Sequence, residues 1–60
     1  MYYTTTNGNQ IVVRNEKGQP HMYVSSGNGT HYISGTTLVV EDNNGHTTIW
    51  DLDRRQKIRG

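Results

Sequence analysis

The chain has no cysteine and no phenylalanine, and only one tryptophan and one proline among its 60 residues. Without cysteine it makes no disulfide and offers no thiolate to a metal. Charge is also sparse, at 18% of residues with a net of +1. The chain as a whole therefore carries no strong field of one sign to select a polyanion or an acidic substrate. No apolar run approaches the ~18 residues that suggest a membrane span. Apolar residues are themselves scarce: 30% of the chain, with Leu, Ile and Val together numbering 11 of 60. That level borders on the composition of disordered chains. The low net charge and the bunching of apolar residues into strand-like runs argue for a folded domain instead.

A domain of this length buries only about 60% of the surface its unfolded chain exposes. Small domains usually add a disulfide, a metal or self-association to an insufficient core. Cysteine is absent, and His21, His31 and His46 fall on separate predicted strands or strand ends with no metal-site spacing. The expectation is no metal, no cofactor and a homo-oligomer. The lack of cysteine, together with an uncharged N-terminus that does not read as a secretion signal, predicts a cytoplasmic, non-membrane setting. The sequon at Asn28-Gly29-Thr30 is read as a chance match on the same grounds.

What the chain does have is a repeat. Residues 8–23 read GNQIVVRNEKGQPHMY, and residues 35–50 read GTTLVVEDNNGHTTIW. At a constant offset of 27, Gly8/Gly35, Val12/Val39, Val13/Val40 and Gly18/Gly45 are identical. Ile11/Leu38, Asn15/Asp42, Met22/Ile49 and Tyr23/Trp50 are similar. Fixed-period similarity makes the supersecondary unit the thing to explain.

Every local signal is β. Thr, Val, Ile and Tyr fill the runs, and Gly or Asn-Gly separates them. The predicted strands cover Tyr2 to Thr6, Gln10 to Asn15, Gln19 to Ser25, Thr30 to Ile33, Thr36 to Glu41 and His46 to Leu52. The predicted turns are Asn7-Gly8, Glu16-Lys17-Gly18, Ser34-Gly35 and Asn43-Asn44-Gly45. The cluster from Ser25 to Gly29 reads as a link between units. The fold expected is all-β: two pseudo-symmetric three-stranded antiparallel meanders forming a small barrel or sandwich. They lie in one domain over residues 1–60, with units at about 2–25 and 30–52. The tail, 53–60, is expected to add a short seventh strand around Ile58 or to fray. Alternation puts Ile11 with Val13 and Leu38 with Val40 on one face of their strands. It also puts Tyr23 and Trp50 on equivalent faces.

The stretch from Asp42 to Leu52 resembles the central hairpin of a WD40 propeller blade in its Gly-to-Trp spacing and its Trp50-Asp51 dipeptide. Sixty residues are too few for the four-stranded blades of that family, so the resemblance implies a hairpin alone. The repeat is also loosely similar to monocot mannose-binding lectins. Of their sugar motif, however, only Asn9 among Thr5, Asn7, Asn9, Ile11 and Val13 matches, and none of Tyr32, Ser34, Thr36, Leu38 and Val40 does. The sugar chemistry of that family is not carried over.

No nucleophile motif or diagnostic carboxylate pair is present, and Asp42, Asp51 and Asp53 read as turn or surface residues. Gly27-Asn28-Gly29 is not followed by a helix that could present N–H groups to a phosphate. The leading expectation is a non-enzymatic interaction or assembly module, homo-oligomeric, that binds a protein through a sheet surface. Its candidate residues are Tyr23, Trp50, His21 and Thr48, because aromatic side chains bury much area with few rotors. One alternative is nucleic-acid binding. Residues 1–50 have a net charge of −1 and residues 51–60 a net of +2, so the positive charge gathers on Arg54, Arg55, Lys57 and Arg59. Another alternative is sugar binding by an oligomer with repeated shallow sites.

Overall fold

The computed structural model describes residues 1–25 and 29–60. It shows seven strands and, among these residues, no helix. They are β1 (Tyr3–Asn7), β2 (Gln10–Arg14), β3 (Pro20–Ser25), β4 (Thr30–Ser34), β5 (Thr37–Glu41), β6 (Thr47–Asp51) and β7 (Gln56–Arg59). The readings that fall on residues 26–28, namely the middle of the link, the Gly27-Asn28-Gly29 loop and the sequon, lie outside the described residues. Among the described residues no helix is long and apolar enough to cross a membrane.

The strands make two antiparallel sheets, β1-β2-β3 and β4-β5-β6-β7. The expected meanders are therefore present, and the tail supplies the seventh strand. The barrel alternative is excluded: each sheet ends its own ladder, leaving β1, β3, β4 and β7 as edges instead of closing.

The first and third turns each begin one residue later than expected. Asn7 pairs with Gln10 and Ser34 with Thr37, so the loops are Gly8-Asn9 and Gly35-Thr36. The glycine is thus the first loop residue, at φ 62° and 61°, while Asn9 and Thr36 keep negative φ. That is the pattern of the II′ hairpin turn, which takes glycine first and matches the strand twist.

The second and fourth turns match the expectation. Asn15 N–H donates to the Gln19 carbonyl at 3.0 Å, and Asp42 N–H to the His46 carbonyl at 3.0 Å. Asn15 Oδ1 accepts from the N–H groups of Lys17 and Gln19, and Asp42 Oδ1 from those of Asn44 and His46. Gly18 and Gly45 close these loops at φ 80° and 81°. This is the three-residue hairpin loop that ends in a left-handed glycine. The same side-chain chemistry thus builds both loops, 27 residues apart.

The core is one cluster drawn from both sheets: Ile11, Val13 and Val24 from the first, Leu38 and Val40 from the second, and Leu52 just after β6. Tyr2, Met22, Ile33 and Trp50 pack against it. Ile11, Val13, Leu38 and Leu52 are fully buried, and each such burial stabilises the fold by about 1.5–3 kcal/mol. Polar bonds also join the sheets. The Thr4 hydroxyl lies 3.0 Å from His31 Nε2, and these two residues are themselves 27 apart in sequence.

Candidate binding cleft

The two three-stranded units differ at their third strands. In the second unit, β5 and β6 pair without interruption, Leu38 opposite Trp50 and Val40 opposite Thr48. In the first, β2 and β3 start in the equivalent register with Arg14 opposite Pro20, then shift by one residue. Ile11 therefore faces Val24, and Val12 faces Tyr23. A one-residue slip sends each side chain to the other face of its sheet.

The apolar pattern accounts for the slip. On β3 the apolar pair is Met22 and Val24; at the matching positions Ile49 and Asp51 stand outside, and Trp50 and Leu52 turn inward. The bulge falls beside Pro20, which is the first residue of an edge strand and has no N–H to lose from the ladder. Tyr23 and Trp50 consequently do not share an environment. Tyr23 is 57% exposed, whereas Trp50 is half-buried against the core.

The second sheet also has a fourth strand, β7, beside β6, whereas among the described residues no strand pairs with the outer side of β3. An open cleft of about 330 Å³ borders edge strand β3. Its walls are Tyr23, Val24 and Ser25 of β3, Val40 of β5, Thr48 and Trp50 of β6, and Lys57 of β7. Trp50 Nε1 is buried and has no hydrogen-bond partner among the described residues. An unmade bond of this kind leaves the desolvation cost of the donor, roughly 1–3 kcal/mol, without compensation.

Of the candidate interaction residues, Tyr23, Trp50 and Thr48 come together on this cleft. His21 does not. It sits at the bulge, its ring centroid 4.8 Å from that of Tyr2. His21 Nε2 donates to the Leu52 carbonyl at 2.6 Å, and Nδ1 accepts from the Arg55 guanidinium at 3.4 Å. A carbonyl only accepts and a guanidinium only donates, so the imidazole tautomer with its proton on Nε2 serves both. Arg55 Nε also donates to the His21 carbonyl at 3.2 Å, which helps hold Arg55 at φ 53°. Nearby, Tyr2 Oη donates to Asp53 Oδ1 at 2.7 Å. That bond raises the phenol's pKa above its ordinary value, chiefly because it stabilises the protonated hydroxyl. The His21 group is therefore a structural clasp between the end of β6 and the first sheet.

The four basic residues of the tail do not form one patch. Arg55 is engaged by His21, and Arg54 Nε lies 3.9 Å from Asp51. Lys57 is opposite Trp50, and Arg59 is opposite Ile49. The β6–β7 ladder shifts register between Ile49 and Trp50, so Lys57 and Arg59 are paired on either side of a bulge and not in regular alternation. Sequence reasoning missed Val24, Ser25 and Val40, and it assigned Lys57 to the tail and not to the cleft. The signal available was the apolar phase of Met22 and Val24, which is out of step with Trp50 and Leu52.

Among the described residues no group of three His, Asp or Glu side chains is placed to hold a metal. No protein-family model, curated protein or solved structure matches the chain.

Proposed function

We propose that this protein is a non-enzymatic binding module that takes up an extended strand of a protein partner along β3, over the cleft. The carrying observation is the imbalance between three strands and four, together with an open cleft lined by edge strand β3 and by Val40, Thr48, Trp50 and Lys57 of the second sheet. An edge strand presents a row of free backbone donors and acceptors, and an added strand satisfies them. On this reading the sheets are the two layers of a sandwich built from one duplicated unit. The matched turns at an offset of 27 and the Thr4–His31 contact support that duplication.

The carboxylates support a binding role over catalysis. Asp42 and Asp51 accept backbone N–H bonds in turns, and Asp53 accepts from Tyr2. Arg55 is bonded to His21 and Arg54 lies beside Asp51, which disfavours a free phosphate-tracking strip. Among the described residues, Ser25 and Thr48 are the cleft's only neutral polar side chains apart from its aromatic rings, which is thin equipment for holding sugar hydroxyls.

Self-association is a second reading, favoured by the same open edge. Antiparallel β3–β3 pairing of two copies is self-complementary and closes under two-fold symmetry. Light scattering at micromolar concentration separates the two readings. A monomer leaves the edge free for a foreign strand, and a dimer assigns it to a second copy. Direct uptake is tested by titrating an acetylated, amidated heptapeptide, Thr-Val-Thr-Glu-Thr-Val-Thr, while following emission of the single tryptophan. Saturable change in Trp50 emission is expected. No change at millimolar peptide overturns foreign-strand binding.

A further inference from the structure

Within the strand-binding reading, on which this inference rests, we propose that the incoming strand carries an acidic side chain, Asp or Glu, seated against Trp50 and Lys57. These two residues are cross-strand partners on β6 and β7. Such partners have Cβ atoms about 4.5–5.5 Å apart, so a carboxylate that accepts from the exposed Lys57 ammonium group lies beside the Trp50 ring at the cleft wall.

The charges around the cleft leave a vacancy of one sign. No carboxylate lines it, and Lys57 has no ion-pair partner among the described residues. The adjacent acids are committed elsewhere: Asp51 to the N–H groups of Asp53 and Arg54 and to the Arg54 side chain, and Asp53 to Tyr2. A second copy cannot fill the vacancy with β3 itself, because Pro20–Ser25 contains no acid. A foreign segment with an acid between two apolar residues on one face fits the walls. Its apolar side chains would lie towards Val24 and Val40, and its carboxylate at Lys57. Alternate side chains of an added strand supply specificity, whereas its backbone supplies general affinity.

The test compares three heptapeptides, Thr-Val-Thr-X-Thr-Val-Thr, with X as Glu, Gln or Lys. Trp50 emission and backbone amide shifts are followed for the native protein and for Lys57→Gln. Lys57 is exposed, so this variant is expected to keep the native circular dichroism; Lys57→Arg provides a charge-retaining control. The Glu peptide should bind about tenfold tighter than the Gln peptide, in keeping with a charge-assisted hydrogen bond. The Lys peptide should bind weakest. Lys57→Gln should remove the Glu-over-Gln preference, and Lys57→Arg should keep most of it. Equal binding of the Glu and Gln peptides overturns the acidic preference while leaving strand uptake standing. A preference that survives in Lys57→Gln overturns the assignment to this pair. Failure of all three peptides to bind overturns strand uptake and the acidic preference together.

Discussion

β3 and β6 hold the same place in the two meanders and grow from turns of the same design, yet they end in different surroundings. β6 is paired on both sides, by β5 and β7, while among the described residues β3 is paired by β2 alone. β6 turns its aromatic residue, Trp50, towards the core; β3 turns its own, Tyr23, away. The comparison teaches that similar residues at a fixed offset need not inherit similar environments. One bulge inverts a strand, and one sheet has a strand more than the other. The inverted strand and the fourth strand both contribute walls to the cleft, Tyr23 to Ser25 from β3 and Lys57 from β7.

The broadest test of the comparison removes the matched core residues one at a time. Ile11→Ala and Leu38→Ala each empty a fully buried site at the offset of 27. Each should cost about 3 kcal/mol, a large share of the roughly 3–9 kcal/mol available to a 60-residue domain. Chemical denaturation should show near-equal losses in one cooperative transition, because the cluster is common to both sheets. Two separate transitions would break the comparison into independent halves.

A smaller effect sharpens the likeness of the turns. Gly18→Ala and Gly45→Ala both place a Cβ on a left-handed residue. Each should cost about 1 kcal/mol, or about 4–8 °C in Tm. Gly18→Ala should cost slightly more, since its Cβ would lie 3.3 Å from Tyr3 Oη, whereas Gly45 has nothing within 4 Å.

The smallest effect separates the turns by charge. The N–H of His46 is the main influence holding the Asp42 carboxyl below its ordinary pKa, against a partial opposing effect of burial, with Asn44 N–H adding to it. A carboxyl lowered in the folded state stabilises the fold above its unfolded pKa, and that share is lost as pH falls through the folded pKa. Asn15 makes the same pair of bonds without a titrating group. Asp42→Asn should therefore keep the turn and lose part of the acid sensitivity of stability below the ordinary carboxylate range, as read by thermal melts across pH. An unchanged acid profile would contradict the role given to Asp42.

Much of this architecture is legible in the residues. Strand propensity and glycine spacing locate the first six strands, because tight hairpins leave little freedom between a turn and its ladders; for the tail they leave a seventh strand and fraying both open. The II′ loops come out one residue early because Asn-Gly favours one turn type and the glycine here begins another. The face of β3 is harder to read. Alternation counted from the Gly18 turn puts Tyr23 inward, and only the competing burial of Met22 and Val24 reveals the slip. The cleft is harder still, since its walls come from β3, β5, β6 and β7, a relation between the two sheets that no single strand carries.

Backbone amide hydrogen exchange, with β3 compared against β6, tests the central claim most directly. In dilute protein, alternate amides of β3 should exchange quickly while those of β6 are protected on both sides. Adding the Glu heptapeptide should slow the fast β3 amides and leave β6 nearly unchanged. Equal protection of β3 and β6 before any peptide is added, or no new protection of β3 afterwards, would contradict the account of an edge built to receive a strand.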